Sequence, residues 1–241
     1  MSADYFQFKQ FIVHHRHSTM KVGTDAVLLA TLANLAVGGQ LLEVGCGSGV
    51  ISLIAAQRSQ MQITAIDIDR DSVWEARANF KNSPWNKRLQ ALMISYQEFA
   101  SRNNPIRFDC ILSNPPFFVN DLKSPDAKRN LARHTDTLSY RDFLLASRNF
   151  ISESGKLWLI LPQTEALLFI EEAKSFGFYL RNRIDIAPKP NKETNRIILC
   201  FANERCKEIE SRKFYIRDND NRFSEEYRTL THDFYTNLKD N

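Results

Sequence analysis

Glycine and proline are scarce in this chain, with eight of each in 241 residues. That scarcity excludes collagen-like and low-complexity fibrous classes, while 43% hydrophobic residues suit an ordinary globular core. Cysteine is scarcer still, and Cys46, Cys110, Cys200 and Cys206 contain no C-x-x-C pair. A structural zinc site needs closer ligand spacing and a disulfide scaffold a far smaller chain, so reduced thiols in a cytoplasmic protein are expected. No stretch approaches the ~18 consecutive apolar residues of a membrane span. The opening residues 1–10 alternate polar and apolar, unlike a signal peptide. Nothing repeats at a fixed period and no low-complexity linker divides the chain, so one domain over 1–241 is expected. The nearest approach to a metal motif is His14-His15-Arg16-His17. Adjacent side chains cannot all face one ion, so the cluster is read as facing the surface or a partner and no metal site is expected. A net charge of +4 and a pI near 8.9 lean mildly towards an anionic partner.

From residue 40 onward, strand-like and helix-like patterns alternate. Apolar runs at 40–44, 62–66, 89–94, 108–113 and 156–161 read as buried strands, with two more at 178–186 and 196–201. Helices are expected at 50–58, from Asp69 to Asn82, at 139–149 (stopped near Gly155) and at 163–176. In the second of these, Val73, Ala76 and Phe80 share a face. Such alternation predicts an α/β fold with a doubly wound, mostly parallel sheet of seven strands. The last two strands are joined by Ala187-Pro188-Lys189-Pro190-Asn191-Lys192, too short for a crossover helix, so they are expected to pair as an antiparallel hairpin.

Two motifs fall at the carboxyl ends of these strands, the edge where open α/β sheets bind ligands. The run at 108–113 leads into Asn114-Pro115-Pro116-Phe117. Two prolines fix φ and offer no N–H, so an amide oxygen and a carbonyl are held in a rigid arc that can accept both hydrogens of an exocyclic amine. Phe117 can stack on the ring bearing that amine. The same residues also suit a plain rigid turn. The run at 40–44 leads into Gly45-Cys46-Gly47-Ser48-Gly49, where missing Cβ atoms let backbone approach a ligand. A dinucleotide fingerprint needs its third glycine at position 50, which is Val50, so a nucleoside site other than NAD is indicated. Asp67, at the tip of the second strand, is placed to accept hydrogen bonds from ribose hydroxyls.

Glu43-Val44-Gly45-Cys46-Gly47-Ser48-Gly49 with Asp67 resembles the cofactor site of the class I S-adenosylmethionine-dependent methyltransferases, whose fold is Rossmann-like. Asn114-Pro115-Pro116-Phe117 resembles the catalytic motif of their amino-group branch, including enzymes acting on adenine N6. Residues 20–29, Phe8-Lys9-Gln10-Phe11, Arg133-His134 and Asp233-Phe234-Tyr235 are similar to bacterial enzymes that methylate adenine N6 of valine tRNA beside the anticodon. The resemblance implies S-adenosylmethionine as cofactor and tRNA as partner, with residues 1–39 closing the cofactor site against a catalytic sheet at 40–241. It implies cofactor contacts from Lys21, Thr24, Asp25, Glu43, Gly45, Gly47, Gly49, Asp67, Ile68, Ser95 and Tyr96. Ser95 stands where an acid is commoner. Catalysis would rest on Asn114, Pro115, Pro116 and Phe117.

Basic residues gather in two places. Lys128, Arg129, Arg133 and His134 lie in the long polar segment after the Asn114 motif and are the expected RNA contacts. Arg181, Arg183, Lys189, Lys192 and Arg196 surround the terminal hairpin and either extend an RNA footprint or guard an edge strand. Competing functions stay open here. An rRNA guanine-N2 methyltransferase carries the same motif but usually a duplicated amino-terminal half, and a protein glutamine methyltransferase has Tyr where Phe117 stands. A non-catalytic RNA-binding module of the same fold would not need an intact glycine loop.

Overall fold

The computed structural model describes residues 4–102, 106–115 and 138–238. The chain opens with a small antiparallel pair, β1 (Tyr5–Gln7) and β2 (Ile12–His14), followed by helix α1 (Thr24–Leu32). Strands β3 (Gln40–Val44), β4 (Gln62–Asp67) and β5 (Leu89–Met93) then alternate with helices α2 (Val50–Arg58) and α3 (Arg70–Lys81). Helix α4 (Tyr96–Ser101) precedes β6 (Phe108–Ser113); α5 (Tyr140–Phe150) precedes β7 (Ile151–Pro162); α6 (Gln163–Ser175) precedes β8 (Tyr179–Ala187). Strands β9 (Arg196–Ala202) and β10 (Glu210–Tyr215) and helix α7 (Glu225–Thr231) complete the described elements.

The main sheet has the order β10-β8-β9-β7-β6-β3-β4-β5. Only β9 runs against its neighbours, pairing antiparallel with both β7 and β8. The seven expected strands and the terminal hairpin are all present, and an eighth joins them. β10 pairs parallel to β8 on the outer edge, Glu210 opposite Asn182 through Tyr215 opposite Ala187. Its sequence hides it: four of its six residues are exposed and polar, so backbone pairing and not an apolar alternation defines it.

Two apolar layers cover the sheet. Leu28, Leu29, Ile51, Leu53, Val73 and Phe80 from α1–α3 pack on one face, and Phe99, Phe143, Leu144, Phe150 and Phe169 from α4–α6 on the other. Phe108, Phe143, Phe169 and Phe201 are fully buried, worth roughly 1.5–3 kcal/mol each in water-excluded area. Gly155 lies inside β7 and not beyond a helix end. A Cβ there would come within 2.8 Å of the Phe108 carbonyl, so glycine permits the close pairing of β7 with β6.

The two ends of the chain meet. Phe8 stacks between Phe11 and Tyr235, with ring centroids 4.5 and 5.8 Å away, and Lys9 N donates to Phe234 O at 2.8 Å. Phe8-Lys9-Gln10-Phe11 and Asp233-Phe234-Tyr235 therefore form one aromatic cluster closing the α1–α3 face.

From β3 the chain steps outward to β4 and β5, then returns to place β6 on the other side of β3. The point where strand order reverses is thus between β3 and β6, and a crevice outside such a point is where ligands bind in this architecture.

Candidate functional site at the sheet switch point

Both motifs flank that crevice. β3 ends at Val44 and β6 at Ser113, adjacent in register, and the Ser113 hydroxyl donates to Val44 O at 2.7 Å. The bond ties the exit of the glycine loop to the exit of the Asn114 motif. Asn114 and Pro115 follow at once, both half-buried. Pro116 and Phe117 lie outside the described residues, as do Lys128, Arg129, Arg133 and His134.

The glycine loop is held from both sides. Gly45 N and Cys46 N both donate to Ile66 O, at 2.9 and 3.0 Å, and Gly47 N donates to Asp67 Oδ2 at 2.8 Å. Gly45, Gly47 and Gly49 all have positive φ (75°, 51° and 83°). Their reasons differ. A Cβ at Gly49 would fall 2.5 Å from the Phe80 ring, so this glycine lets α2 pack on α3. A Cβ at Gly45 or Gly47 would meet nothing within 4 Å, which leaves space above the backbone for a ligand.

Asp67 supports the same loop. Its Oδ1 accepts from Asp69 N at 2.9 Å, while Asp69 caps α3 by accepting from Ser72 N at 2.8 Å. Each Asp67 oxygen keeps a further lone pair. Ile68 beside it is 59% exposed, an apolar side chain facing outward at the crevice rim. Ser95 caps α4 by accepting from Glu98 N at 3.0 Å. Tyr96, expected among the cofactor contacts, starts α4. Its ring is buried and its hydroxyl lies 3.0 Å from Ser147 Oγ, so the side chain faces the core and only its backbone is left for a ligand.

Glu43 is fully buried on β3, pointing at α2, where its Oε2 accepts from Ser52 N at 2.9 Å and from the Ser52 hydroxyl. Its other oxygen is buried without a hydrogen-bond partner among the described residues. Desolvation raises its pKa to about 8, against the lowering effect of Ser52. The side chain therefore supports the first turn of α2 from within.

Segment 12–22 runs along α3 beside this site. Asn79 donates to both His14 O (2.8 Å) and Ser48 O (2.9 Å), so one side chain joins this segment to the glycine loop. Glu75 accepts from His17 N, Ser18 N and the Ser18 hydroxyl. Burial pushes the Glu75 pKa up, but these bonds with that from Arg16 N outweigh it and hold the carboxyl below its ordinary value. The His14–His17 cluster is split: His14, Arg16 and His17 are exposed, but His15 is buried and its Nδ1 accepts from Val22 N at 3.1 Å, correcting the expectation of a surface cluster. Lys21 and Thr24 are exposed, Thr24 opening α1, and Asp25 pairs with Arg196 Nε at 2.7 Å.

Residues 15–166 match the model of the methyltransferase small domain. A tRNA1(Val) (adenine(37)-N6)-methyltransferase of Bacteroides fragilis is 35% identical over 240 residues, covering 99% of this chain and all of that one. Its counterpart in Parabacteroides distasonis is 38% identical over 238 residues, again covering 99% and 100%. This chain belongs to the tRNA1(Val) (adenine(37)-N6)-methyltransferase family. Among solved structures, a predicted O-methyltransferase of Agrobacterium tumefaciens superposes with a TM-score of 0.66 at 16% identity, over 87% of this chain and 96% of that one, a likeness of fold. Like the family, the chain is an S-adenosylmethionine-dependent methyltransferase.

Ser113, Ser52, Glu75 and Asn79 support the site without any expectation of it in the sequence, and Arg196, expected only in the basic hairpin cluster, is the partner of Asp25. One signal was present. Ser72, Glu75 and Asn79 put polar groups on the face of α3 that also carries Val73, Ala76 and Phe80, and buried polar groups need partners. Among the described residues no helix is long and apolar enough to cross a membrane, and all four cysteines are unpaired.

Proposed function

We propose that this chain transfers a methyl group from S-adenosylmethionine to N6 of an adenine in tRNA, at adenosine 37 of tRNA1(Val), and does so in the cytoplasm. The observation that carries the reading is the juxtaposition of an open glycine loop and Asn114-Pro115 across the β3–β6 switch point, held by the Ser113–Val44 bond. Full-length identity to relatives named for that reaction supports the choice of substrate.

The open space over Gly45 and Gly47, the spare acceptor capacity of Asp67 and the outward apolar Ile68 fit a nucleoside with a charged tail. Gly45, Gly47 and Gly49 would cradle the cofactor, Asp67 would take its ribose, and Ile68 with the backbone at Ser95 and Tyr96 would line its adenine. Lys21, Thr24 and Asp25 would border its methionine end, while Glu43 acts from beneath by fixing the turn. Residues 1–39, tied to Ser48 through Asn79, would close this side of the site. When bound, the cofactor supplies an electrophilic methyl group on a sulfonium sulfur.

The rest is alignment. The N6 lone pair of adenine is delocalised into the ring, so the amine is a poor nucleophile until its hydrogens are held. The Asn114 side-chain oxygen and the Pro115 carbonyl would accept both N6 hydrogens and aim the lone pair. Pro116 would keep this arc rigid, and Phe117 would stack on the adenine turned out of the anticodon loop. Positioning of this kind can supply several kcal/mol, and the same oxygens stabilise positive charge growing on nitrogen. The spare proton turns acidic after transfer and leaves to solvent, so no dedicated base is needed. Lys128, Arg129, Arg133 and His134 would hold phosphates or bases beside this edge.

The test is methylation of bulk tRNA from cells lacking the enzyme, digested and scored by nucleoside mass spectrometry. N6-methyladenosine is expected. N2-methylguanosine would favour the guanine-directed alternative, and no product despite cofactor binding would favour a non-catalytic module.

A further inference from the structure

Of the basic residues around the terminal hairpin, Arg181 and Arg183 lie within β8, while Lys189, Lys192 and Arg196 lie at or beyond its end. β8 and β10 run parallel to β3, β6 and β7, so they end on the same edge as the glycine loop and Asn114. The hairpin loop 188–195 and the loop after β10, 216–224, therefore open on the catalytic edge. The two loops are bonded together: Ile216 N donates to Ala187 O (3.2 Å) and Arg217 N to Pro188 O (2.9 Å). Lys189 Nζ reaches Asn221 Oδ1 at 3.3 Å, with Asn221 held at a φ of 64°. Arg217 donates to Asn221 O at 2.6 Å and lays its guanidinium 4.4 Å from the centre of the Phe223 ring.

Charge on these loops is unevenly used. Arg196 is committed to Asp25. Lys189, Lys192, Arg217 and Arg222 have no carboxylate within ion-pair distance among the described residues. Three acids share the loops, Glu193, Asp218 and Asp220; of these, Asp218 is turned into its own turn, accepting from Arg222 N at 2.9 Å. Four cations on a braced frame thus carry no ion pair among the described residues, Lys192 and Arg222 exposed and Lys189 and Arg217 half-buried. At ~4.8 Å per strand, β8 and β10 stand about 14 and 19 Å from β6. That exceeds the ~8 Å over which charge acts through physiological salt, so these cations do not tune chemistry at Asn114. They lie within reach of the strand that carries the target base.

We infer that loops 188–195 and 216–224 form a phosphate-binding rim of the catalytic edge, gripping the substrate RNA a few nucleotides from the methylated base. This rests on the proposed function. A stacked, hydrogen-bonded guanidinium such as Arg217 loses little further freedom on meeting a phosphate, and such contacts position RNA without reading sequence.

The experiment compares wild type with K189A/K192A/R222A, which spares the structural Arg217 and the Asp25 partner Arg196. Binding of an unmodified tRNA1(Val) transcript is measured between 50 and 200 mM salt, with cofactor titration as the check on folding. Each lost phosphate contact removes roughly 0.7–0.9 from the slope of log K against log salt. The triple variant should therefore lose about 20- to 40-fold less affinity than wild type across that fourfold salt range. Its KM for tRNA should rise with kcat and cofactor affinity unchanged. K192E, on the exposed loop, should raise KM in the same direction and decides the matter if the triple variant folds poorly. Wild-type slopes and KM in both variants would overturn the rim, placing the RNA elsewhere, for example at the corner where Trp74 is 63% exposed beside His17. Failure of wild type to methylate tRNA at all would instead sink the proposed function.

Discussion

Replacing Glu43 with glutamine isolates the one carboxyl buried beneath the glycine loop. In the unfolded chain its pKa is near 4.5 and in the fold about 8. The folded state therefore binds the extra proton between those values. Stability from this group is fully present below pH 4.5, falls as pH rises, and is gone above about 8. At about 1.4 kcal/mol per pH unit the whole window is worth up to roughly 5 kcal/mol, an upper figure for a shift of this size. The glutamine side chain keeps an oxygen for Ser52 but puts an amide nitrogen where Oε1 has no partner, at a cost of about 1–3 kcal/mol. E43Q should thus be the less stable protein at pH 5 and the more stable at pH 8.5, the two urea-unfolding midpoints crossing in between. Subtracting the two profiles removes every other titrating group. Parallel profiles would contradict a raised pKa and mean that Glu43 stays ionised in the fold.

Three further substitutions probe the frame of the site. Asp67→Ala should weaken cofactor binding by about 1.5–3 kcal/mol, read by calorimetry, because the charged acceptor that holds the glycine loop, and that the proposed function assigns to the ribose, is lost; unchanged affinity would point to Asp69. Glu75→Ala strands the His17 and Ser18 donors and should accelerate hydrogen exchange at those two amides at neutral pH, with less effect in acid, where Glu75 itself protonates and releases them. Gly49→Ala puts a methyl 2.5 Å from Phe80 at a φ of 83°, and should cost about 2 kcal/mol or more in unfolding free energy, against less than ~1 kcal/mol for Ser48→Ala.

Much of this was legible in the residues because the sheet is buried on both faces. Strands such as β6 read as short apolar runs ended by a turn, and α2 emerges at 50–58 as expected. Where burial does not follow a period, the sequence is silent. In α1 every residue from Ala26 to Thr31 is buried, because the helix is covered by α2, α7 and β7, so no amphipathic stripe announces it. β10 fails in the opposite sense, being too exposed to show alternation. Tyr96 was expected beside the cofactor, but Ser95 caps a short helix there and the ring turns inward. The chemistry-bearing motifs were readable since glycines and prolines impose backbone geometry locally. Their supports, Ser113 under Asn114 and Asn79 between His14 and Ser48, join residues 65 or more apart in two of three contacts and carry no local signature.

In the proposed function, Asn114 aligns N6 of adenosine 37 for methyl transfer. The direct measurement is position-resolved methylation of a tRNA1(Val) transcript by wild type and Asn114→Ala, alongside a transcript with guanosine at 37. N6-methyladenosine at 37 with wild type, none on the guanosine transcript, and a loss of about 100-fold or more in kcat for Asn114→Ala at unchanged cofactor affinity is the expected result, since a contact made mainly in the transition state lowers turnover by about that much. Methylation of the guanosine transcript, or Asn114→Ala turnover within a few-fold of wild type, would contradict it.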